Sequence, residues 1–123
     1  MRLKVLYVDD EADIREVAMI ALELDPDIEV RIESSGAAGV AAALKWLPDA
    51  ILLDVMMPLM DGPTTLLVLK ENPATHSIPV IFVTARAQSI EIEQFINLGA
   101  RDVITKPFNA MTLAVEVRRR IAA

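Results

Sequence analysis

Short apolar segments recur along this chain, and the stretches between them carry apolar residues at helical spacing. Residues 3–8, 50–53, 80–83 and 103–104 are almost wholly apolar, which is typical of strands that are covered on both faces of a sheet. Segment 28–32 instead alternates apolar and charged residues, so its strand is predicted to have one face in water and to lie at a sheet edge. The pattern therefore predicts five short strands.

A helix is predicted after each of the five strands. In the first helix, apolar residues at i, i+3, i+4, i+7 and i+8 form one face. In chain order, the predicted apolar faces are Ile14, Val17, Ala18, Ala21 and Leu22; Val40, Ala43, Leu44 and Leu47; Leu66, Leu67 and Leu69; Ile92, Phe95 and Ile96; and Ala110, Leu113, Ala114, Val117 and Ile121.

Residues that favour helix ends flank these faces. Ser34-Ser35 is predicted to cap the N-terminus of the second helix, and Asp61 or Gly62 that of the third. Ser89 is predicted to cap the fourth helix, and Gly99 to end it.

The alternation of strands and helices predicts one α/β domain over residues 1–123. Right-handed crossovers between parallel strands place helices on both faces of the sheet. The alternating second strand and the short fifth strand suit the two edges, so we expect a doubly wound five-stranded parallel sheet in the order 2-1-3-4-5 with five helices. Such sheets bind ligands beyond the C-terminal strand ends where the strand order reverses, here between strands one and three.

Composition disfavours several classes of function. The 123 residues are 54% hydrophobic, which is ample for a packed core, and no apolar run reaches the ~20 residues of a membrane span. A formal charge of −6 without a long basic stripe disfavours direct binding to nucleic acid. The absence of cysteine excludes disulfides and thiolate chemistry. We therefore expect a cytoplasmic protein that binds neither membranes nor nucleic acid directly.

Polar side chains stand where four of the predicted strands end. Asp9 and Asp10 follow strand one, Asp54 ends strand three, Thr84 ends strand four and Lys106 follows strand five. Three converging carboxylates repel each other by roughly 4 kcal/mol per close pair at an effective dielectric of about 20, so a cation must balance them. Oxygen ligands with open positions suit Mg²⁺, while Lys106 and Thr84 can offer a positive charge and a hydroxyl donor to a phosphoryl group.

These motifs resemble the receiver domain of two-component response regulators. The matching segments are Asp9-Asp10, Asp54 within LLDVMMPLMDG, Thr84-Ala85 and Lys106-Pro107-Phe108, each at a predicted strand end. The resemblance covers the chain from Leu3 to the last helix and implies a flavodoxin-like, chemotaxis-regulator-like fold. It also implies a protein that takes a phosphoryl group from a phosphohistidine of a histidine kinase or phosphotransfer protein, and that is not an enzyme acting on a separate substrate.

The resemblance implies a role for each acid at the strand ends. Asp54 is expected to be the phosphoacceptor and a metal ligand. Asp10 is expected to bind Mg²⁺ directly, and Asp9 directly or through water. The backbone carbonyl of Met56 is expected to complete the protein ligands.

The other strand ends are implicated in phosphoryl binding and in switching. By the same resemblance, Thr84 and Lys106 contact the phosphoryl oxygens, and the Lys106–Pro107 peptide bond is cis. Phosphorylation is expected to give Thr84 a stronger acceptor and to draw its loop inward. The residue three positions before the lysine is usually aromatic in the family, but it is Val103 here, so this chain departs from the pattern at the residue that usually reports the change.

Two other functions fit parts of the pattern. An aspartyl-nucleophile phosphatase typically carries a second acid two residues after the nucleophile, where this chain has Met56. An unphosphorylated pseudo-receiver that only binds partners would not need the complete set of acids, threonine and lysine. Met111, Val115 and Arg118 form a second stripe on the last helix, which indicates a partner surface. The resemblance implies that the face of helix four, strand five and helix five serves this purpose.

Overall fold

The computed structural model describes residues 2–122, which form a five-stranded parallel sheet with helices packed on both faces. The strands are β1 (Leu3–Val8), β2 (Ile28–Glu33), β3 (Ala50–Asp54), β4 (Val80–Thr84) and β5 (Asp102–Thr105), and the helices are α1 (Ala12–Glu23), α2 (Gly36–Trp46), α3 (Gly62–Glu71), α4 (Ser89–Leu98) and α5 (Leu113–Ala122). The strand order is β2-β1-β3-β4-β5, so the predicted topology is confirmed.

Alternate residues of the central strands enter two separate apolar cores. Val5 and Tyr7 of β1 pack in a cluster that includes residues of α1 and α5, whereas Leu6 and Val8 pack in a second cluster with residues of α2, α3 and α4. Because helices cover both faces, strands β1, β3 and β4 are apolar on successive residues rather than alternately. The alternating strand β2 lies at the edge, as predicted.

The predicted apolar faces of the helices included large apolar residues that the structure leaves exposed. Val17, Leu44, Leu47, Leu67 and Ile96 were all assigned to the core, yet each has 40% or more of its surface exposed. These residues flank the narrower stripes that contact the sheet, and in α1 that stripe is Ala18, Ala21 and Leu22.

Small residues explain the narrow contact of helix α2. Its buried residues are Gly36, Gly39 and Ala43. A Cβ atom added at Gly39 would stand 2.8 Å from the nearest methyl carbon of Val8, so the helix lies too close to β1 for a larger side chain. The spacing of the large apolar residues therefore predicted burial of Leu44 and Leu47, whereas the side of the helix that is buried carries Gly36, Gly39 and Ala43.

Two of the three predicted N-terminal helix caps are confirmed and one is wrong. The side chains of Ser35 and Asp61 accept hydrogen bonds from the backbone N–H groups of Ala38 and Thr64, at 3.1 and 2.8 Å. Ser89 is instead the first residue of α4, and the residue at the cap position, Gln88, makes no side-chain capping hydrogen bond. The left-handed Gly99, with φ of 115°, ends α4 as expected.

Candidate phosphoryl and metal site

The carboxyl ends of four strands bring together one acid cluster and one lysine. Asp9 follows β1, Asp54 is the last residue of β3 and Thr84 the last of β4, and all three are buried. Lys106 follows β5 and is half-buried. Strands β1 and β3 are direct neighbours paired in parallel, which is why residues distant in sequence meet at this edge of the sheet.

Lys106 is the centre of the cluster. Its Nζ lies 2.8 Å from Oδ2 of Asp9 and 3.2 Å from Oδ1 of Asp54. A carboxylate oxygen of Glu11 lies 3.6 Å from the same nitrogen. The lysine therefore neutralises part of the repulsion between two buried carboxylates.

The carboxylates outnumber the lysine, and their arrangement fits a hard cation. Oxygens of Asp9, Glu11 and Asp54 all lie within 4.8 Å of one another. Three negative charges against one positive charge leave an excess that Mg²⁺ would balance, and carboxylate oxygens are the ligands it prefers. Asp10 is exposed and is outside this group of oxygens, and Met56 is an exposed residue that lines the cavity beside Asp54.

Glu11 and Tyr7 were not predicted to belong to the site. Glu11 continues the acidic run at 9–11, so the run itself was the signal that could have indicated it. The Tyr7 hydroxyl donates a hydrogen bond to Oδ2 of Asp9 at 3.0 Å. Because side chains alternate along a strand, its position two residues before Asp9 places it on the same side of the chain.

The environment of Asp54 disfavours its ionised form. Burial raises the pKa of this carboxyl to about 6 from its usual 3.8, and repulsion by Asp9 acts in the same direction. The Lys106 ammonium lowers the pKa but does not fully offset these effects. Burial disfavours the charged Lys106 as well, but its contacts with Asp9 and Asp54 raise its pKa above the usual value. At neutral pH, Asp54 is therefore mostly ionised, at a cost that a further cation would reduce.

A cavity of about 190 Å³ opens beside these groups. It is lined by Glu11, Asp54, Met56, Thr84, Ala85, Arg86 and Lys106. The hydroxyl oxygen of Thr84 accepts a hydrogen bond from the backbone N–H of Arg86 at 3.0 Å, which leaves the hydroxyl proton available for an acceptor inside the cavity. The cavity thus combines a carboxylate, an ammonium group and a hydroxyl donor.

The segment between β5 and α5 carries Lys106, and its first peptide bond, Lys106–Pro107, is cis. Val103, three residues before the lysine, is 6% exposed and belongs to the apolar cluster that contains Phe82. Phe82 contacts Phe95 of α4 edge to face, with ring centroids 4.9 Å apart. The position that is usually aromatic is therefore filled here by a small side chain inside the core.

The turn after Asp54 depends on a close approach of the backbone at Gly62. The Gly62 N–H donates to the carbonyl oxygen of Val55 at 2.8 Å, which folds the turn back onto the end of β3. A Cβ at Gly62 would lie 2.5 Å from the carbonyl oxygen of Asp54 and 2.8 Å from Cα of Val55. Leu59, in the same turn, has a left-handed backbone with φ of 67°.

Substitution of Gly62 by alanine is expected to lower the free energy of unfolding by about 2 kcal/mol, because the atoms that the methyl group meets are backbone atoms that cannot rotate away. Chemical denaturation would measure the change. Thr64→Ala, at an exposed position of the same helix, is the control and should change stability little. A Gly62→Ala protein as stable as the wild type would contradict the close approach.

Comparison with known proteins agrees with this geometry. The family model described as "Response regulator receiver domain" matches residues 5–118. The response regulator PleD of Caulobacter vibrioides is 40% identical over 120 residues, which cover 96% of this chain and 26% of PleD. The transcriptional regulatory protein CseB of Streptomyces avermitilis is 37% identical over 93% of this chain and 47% of its own length.

Solved structures show the same architecture. A chemotaxis response regulator of Vibrio cholerae, CheY4, superimposes with a TM-score of 0.90 at 29% identity, covering 98% of this chain and 99% of that one. A response regulator from Chloroflexus aurantiacus gives a TM-score of 0.89 at 29% identity and covers all of both chains.

The chain belongs to the response regulator receiver domain family, so it is a receiver domain of two-component response regulators. Its flavodoxin-like fold, with five parallel strands in the order 2-1-3-4-5, is the fold of these relatives. The chain spans about a quarter of the length of PleD and about half that of CseB. Among residues 2–122, no helix is both long and apolar enough to cross a membrane.

Proposed function

We propose that this receiver, taken as one domain over residues 1–123, accepts a phosphoryl group on Asp54 with the help of Mg²⁺ and signals by changing its conformation. The observation that carries the proposal is the contact of Lys106 with Asp54 and Asp9 at the wall of a cavity that Thr84 also lines. Each of these groups suits phosphoryl transfer, in which positioning and charge neutralisation supply most of the catalysis.

The transfer uses the carboxylate of Asp54 as nucleophile. One of its oxygens forms a bond to phosphorus while the bond from phosphorus to the histidine nitrogen of the donor breaks, and that nitrogen keeps the bonding electrons. Lys106 and the hydroxyl of Thr84 bind the phosphoryl oxygens as they approach Asp54. The product is an acyl phosphate, and the chain assists only its own phosphorylation and dephosphorylation.

The acids at the ends of β1 and β3 hold Mg²⁺ in this proposal. Asp9 and Asp54 are the buried candidates, and Glu11 contributes directly or through water. Met56 lines the cavity beside Asp54, and Asp10 directly follows Asp9 after β1, so the Met56 backbone carbonyl and the exposed Asp10 carboxylate are the further ligands in this proposal. When bound, the metal neutralises charge on the transferring group and lowers the cost of ionised Asp54.

The partners follow from this chemistry. A histidine kinase or a histidine phosphotransfer protein donates the phosphoryl group in the cytoplasm. The output surface includes Met111, which lies in the turn before α5, and Val115 of α5, and the two side chains are 77% and 63% exposed. Arg118 does not continue this stripe as a free cation, because it pairs with Asp25 at 2.6 Å.

Alanine at Met111 and Val115 should weaken output binding and leave phosphorylation unchanged.

The switch begins at Thr84 and proceeds through the core rather than through an aromatic residue on β5. A phosphoryl group on Asp54 draws the Thr84 hydroxyl inward, and the backbone of Arg86 follows because it is hydrogen-bonded to that hydroxyl. Helix α4 contains no fully buried residue, so it can respond at low cost. Val103 belongs to the apolar cluster against which Ile92 and Phe95 of α4 pack.

Incubation with acetyl phosphate and Mg²⁺, followed by intact-mass measurement, tests the proposal. We expect a gain of one phosphoryl group that does not occur when a chelator is added before the acetyl phosphate and is absent in Asp54→Asn. Glu93→Gln, at an exposed site on α4, is the matched control and should be phosphorylated like the wild type. No gain under any condition would favour an unphosphorylated binding module, and sustained turnover of a phosphate ester would indicate a phosphatase.

A further inference from the structure

The hydroxyl of Tyr7 is a polar group in the apolar core that the proposed transfer does not use. Tyr7 has no exposed surface, and its ring packs in the cluster between the sheet and helices α1 and α5. The ordinary pKa of a phenol is about 10, so the hydroxyl keeps its proton at neutral pH. It therefore acts as a donor, and its acceptor is Oδ2 of Asp9 at 3.0 Å.

The hydrogen bonds of Asp9 are distributed unevenly between its two oxygens. Oδ2 accepts from both the Tyr7 hydroxyl and the Lys106 ammonium group, at 3.0 and 2.8 Å. Oδ1 accepts from the backbone N–H of Glu11 at 3.0 Å. Since each carboxylate oxygen can accept about two hydrogen bonds, Oδ2 is occupied and Oδ1 retains acceptor capacity for a cation or its water.

Tyr7 also contacts the segment that carries the lysine. Its ring meets Phe108 edge to face, with centroids 6.4 Å apart, and Phe108 follows Lys106 by two residues. When Lys106 turns toward a phosphoryl group, Asp9 loses one of its two donors on Oδ2. The Tyr7 hydroxyl, fixed by the surrounding core, then remains to hold that oxygen.

We propose that Tyr7 is a positioning residue for the metal site: its hydroxyl holds the buried Asp9 carboxylate in the orientation that presents Oδ1 to Mg²⁺. This inference rests on the proposed function for the identity of the metal, but it concerns metal binding alone. Removal of a residue that hydrogen-bonds to a metal ligand and orients it typically weakens metal binding by about 10–100-fold.

The variant that tests this role is Tyr7→Phe, which removes the hydroxyl and keeps the ring. Isothermal titration calorimetry of the unphosphorylated Tyr7→Phe protein with MgCl₂ should give a dissociation constant for Mg²⁺ about tenfold higher than that of the wild type. Phe108→Leu is the matched control, because it removes the ring contact and keeps the hydroxyl, and its Mg²⁺ affinity should stay within about twofold of the wild type. Equal affinity in Tyr7→Phe and the wild type would overturn the proposal.

A double-mutant cycle with Asp9→Asn distinguishes the positioning of the Asp9 carboxylate by Tyr7 from a general disturbance of the core. If Tyr7 acts through the Asp9 carboxylate, Tyr7→Phe should change Mg²⁺ affinity much less in the Asp9→Asn background than in the wild type. The same loss in both backgrounds would show that the hydroxyl acts elsewhere. Phosphorylation by acetyl phosphate adds a second readout: Tyr7→Phe should need about tenfold more Mg²⁺ for half-maximal rate and reach the wild-type rate at saturation.

The unsubstituted protein provides a test that does not depend on a variant folding. Tyr7 is the single tyrosine of the chain, so its ring signals can be followed by NMR in protein labelled only at tyrosine. MgCl₂ should shift these signals with the dissociation constant that calorimetry gives. A tyrosine signal unmoved by saturating Mg²⁺, or a protein that binds no Mg²⁺, would overturn the inference. Mg²⁺ binding without phosphorylation would refute only the proposed phosphoryl transfer.

Discussion

Asp54→Asn is expected to make the metal-free protein more stable, although it removes the proposed phosphoacceptor. Asparagine has nearly the shape of aspartate but no charge, so it removes both the burial penalty and the repulsion from Asp9. We expect a gain of about 2 kcal/mol at about pH 8, which corresponds to roughly 5 °C or more in melting temperature. Solvent in the adjoining cavity makes this gain smaller than the full pKa shift implies.

The gain should depend on pH in a defined direction. The carboxyl has a higher pKa in the folded protein than in the unfolded chain, so its ionisation destabilises the fold above about pH 6. That destabilisation declines as the pH falls through 6 and is absent below the unfolded value of 3.8. Thermal unfolding of both proteins in chelator, between about pH 4 and pH 8, measures the difference. Asp54→Asn less stable than the wild type at the upper pH would refute this account.

Lys106→Met is expected to produce the largest combined loss of stability and activity. Methionine keeps an apolar stem but leaves the buried carboxylates of Asp9 and Asp54 without their shared cation. Removal of one partner from a buried ion pair costs about 3 kcal/mol or more, and loss of a group that stabilises transition-state charge slows transfer by about 100-fold. Denaturation in chelator and the rate of phosphorylation by acetyl phosphate measure the two effects.

Three comparisons make the Lys106 prediction specific. Lys70 donates to the backbone carbonyl of His76 and pairs with no acid among residues 2–122, so Lys70→Met should leave stability and rate close to wild type. Asp54→Asn combined with Lys106→Met should be more stable than the sum of the separate effects predicts, because one of the stranded charges is gone. Excess Mg²⁺ should restore much of the stability of Lys106→Met but not its rate. A normal rate in Lys106→Met would exclude the proposed contact with the phosphoryl group.

These expectations share one physical origin. The end of the sheet buries Asp9 and Asp54 with a single lysine between them and Glu11 at the rim. A protein selected only for stability would have no reason to place such a cluster in its core, where unbalanced charge raises the free energy of the folded state. Under the proposed function, a bound cation and a phosphoryl group would balance this charge and make the arrangement favourable.

Much of the fold could be predicted from the order of apolar segments. Residues 50–53 and 80–83 carry no polar side chain because helices cover both faces of these strands, and the alternation at 28–32 revealed an edge. The predictions failed where packing selects small residues. At Gly39 the backbone of α2 lies against Val8, so the neighbouring Leu44 and Leu47 turn outward although their periodicity resembles that of core residues.

For the site, the sequence alone determined that acids, a threonine and a lysine stand at one edge of the sheet, because parallel strands place their carboxyl ends together. Only the tertiary structure decided which of these side chains meet. It placed the Asp9, Glu11 and Asp54 oxygens together, left Asp10 exposed and aimed the Tyr7 hydroxyl at Asp9. Rotamers, burial and hydrogen-bond partners depend on contacts between distant segments, and no local pattern contains that information.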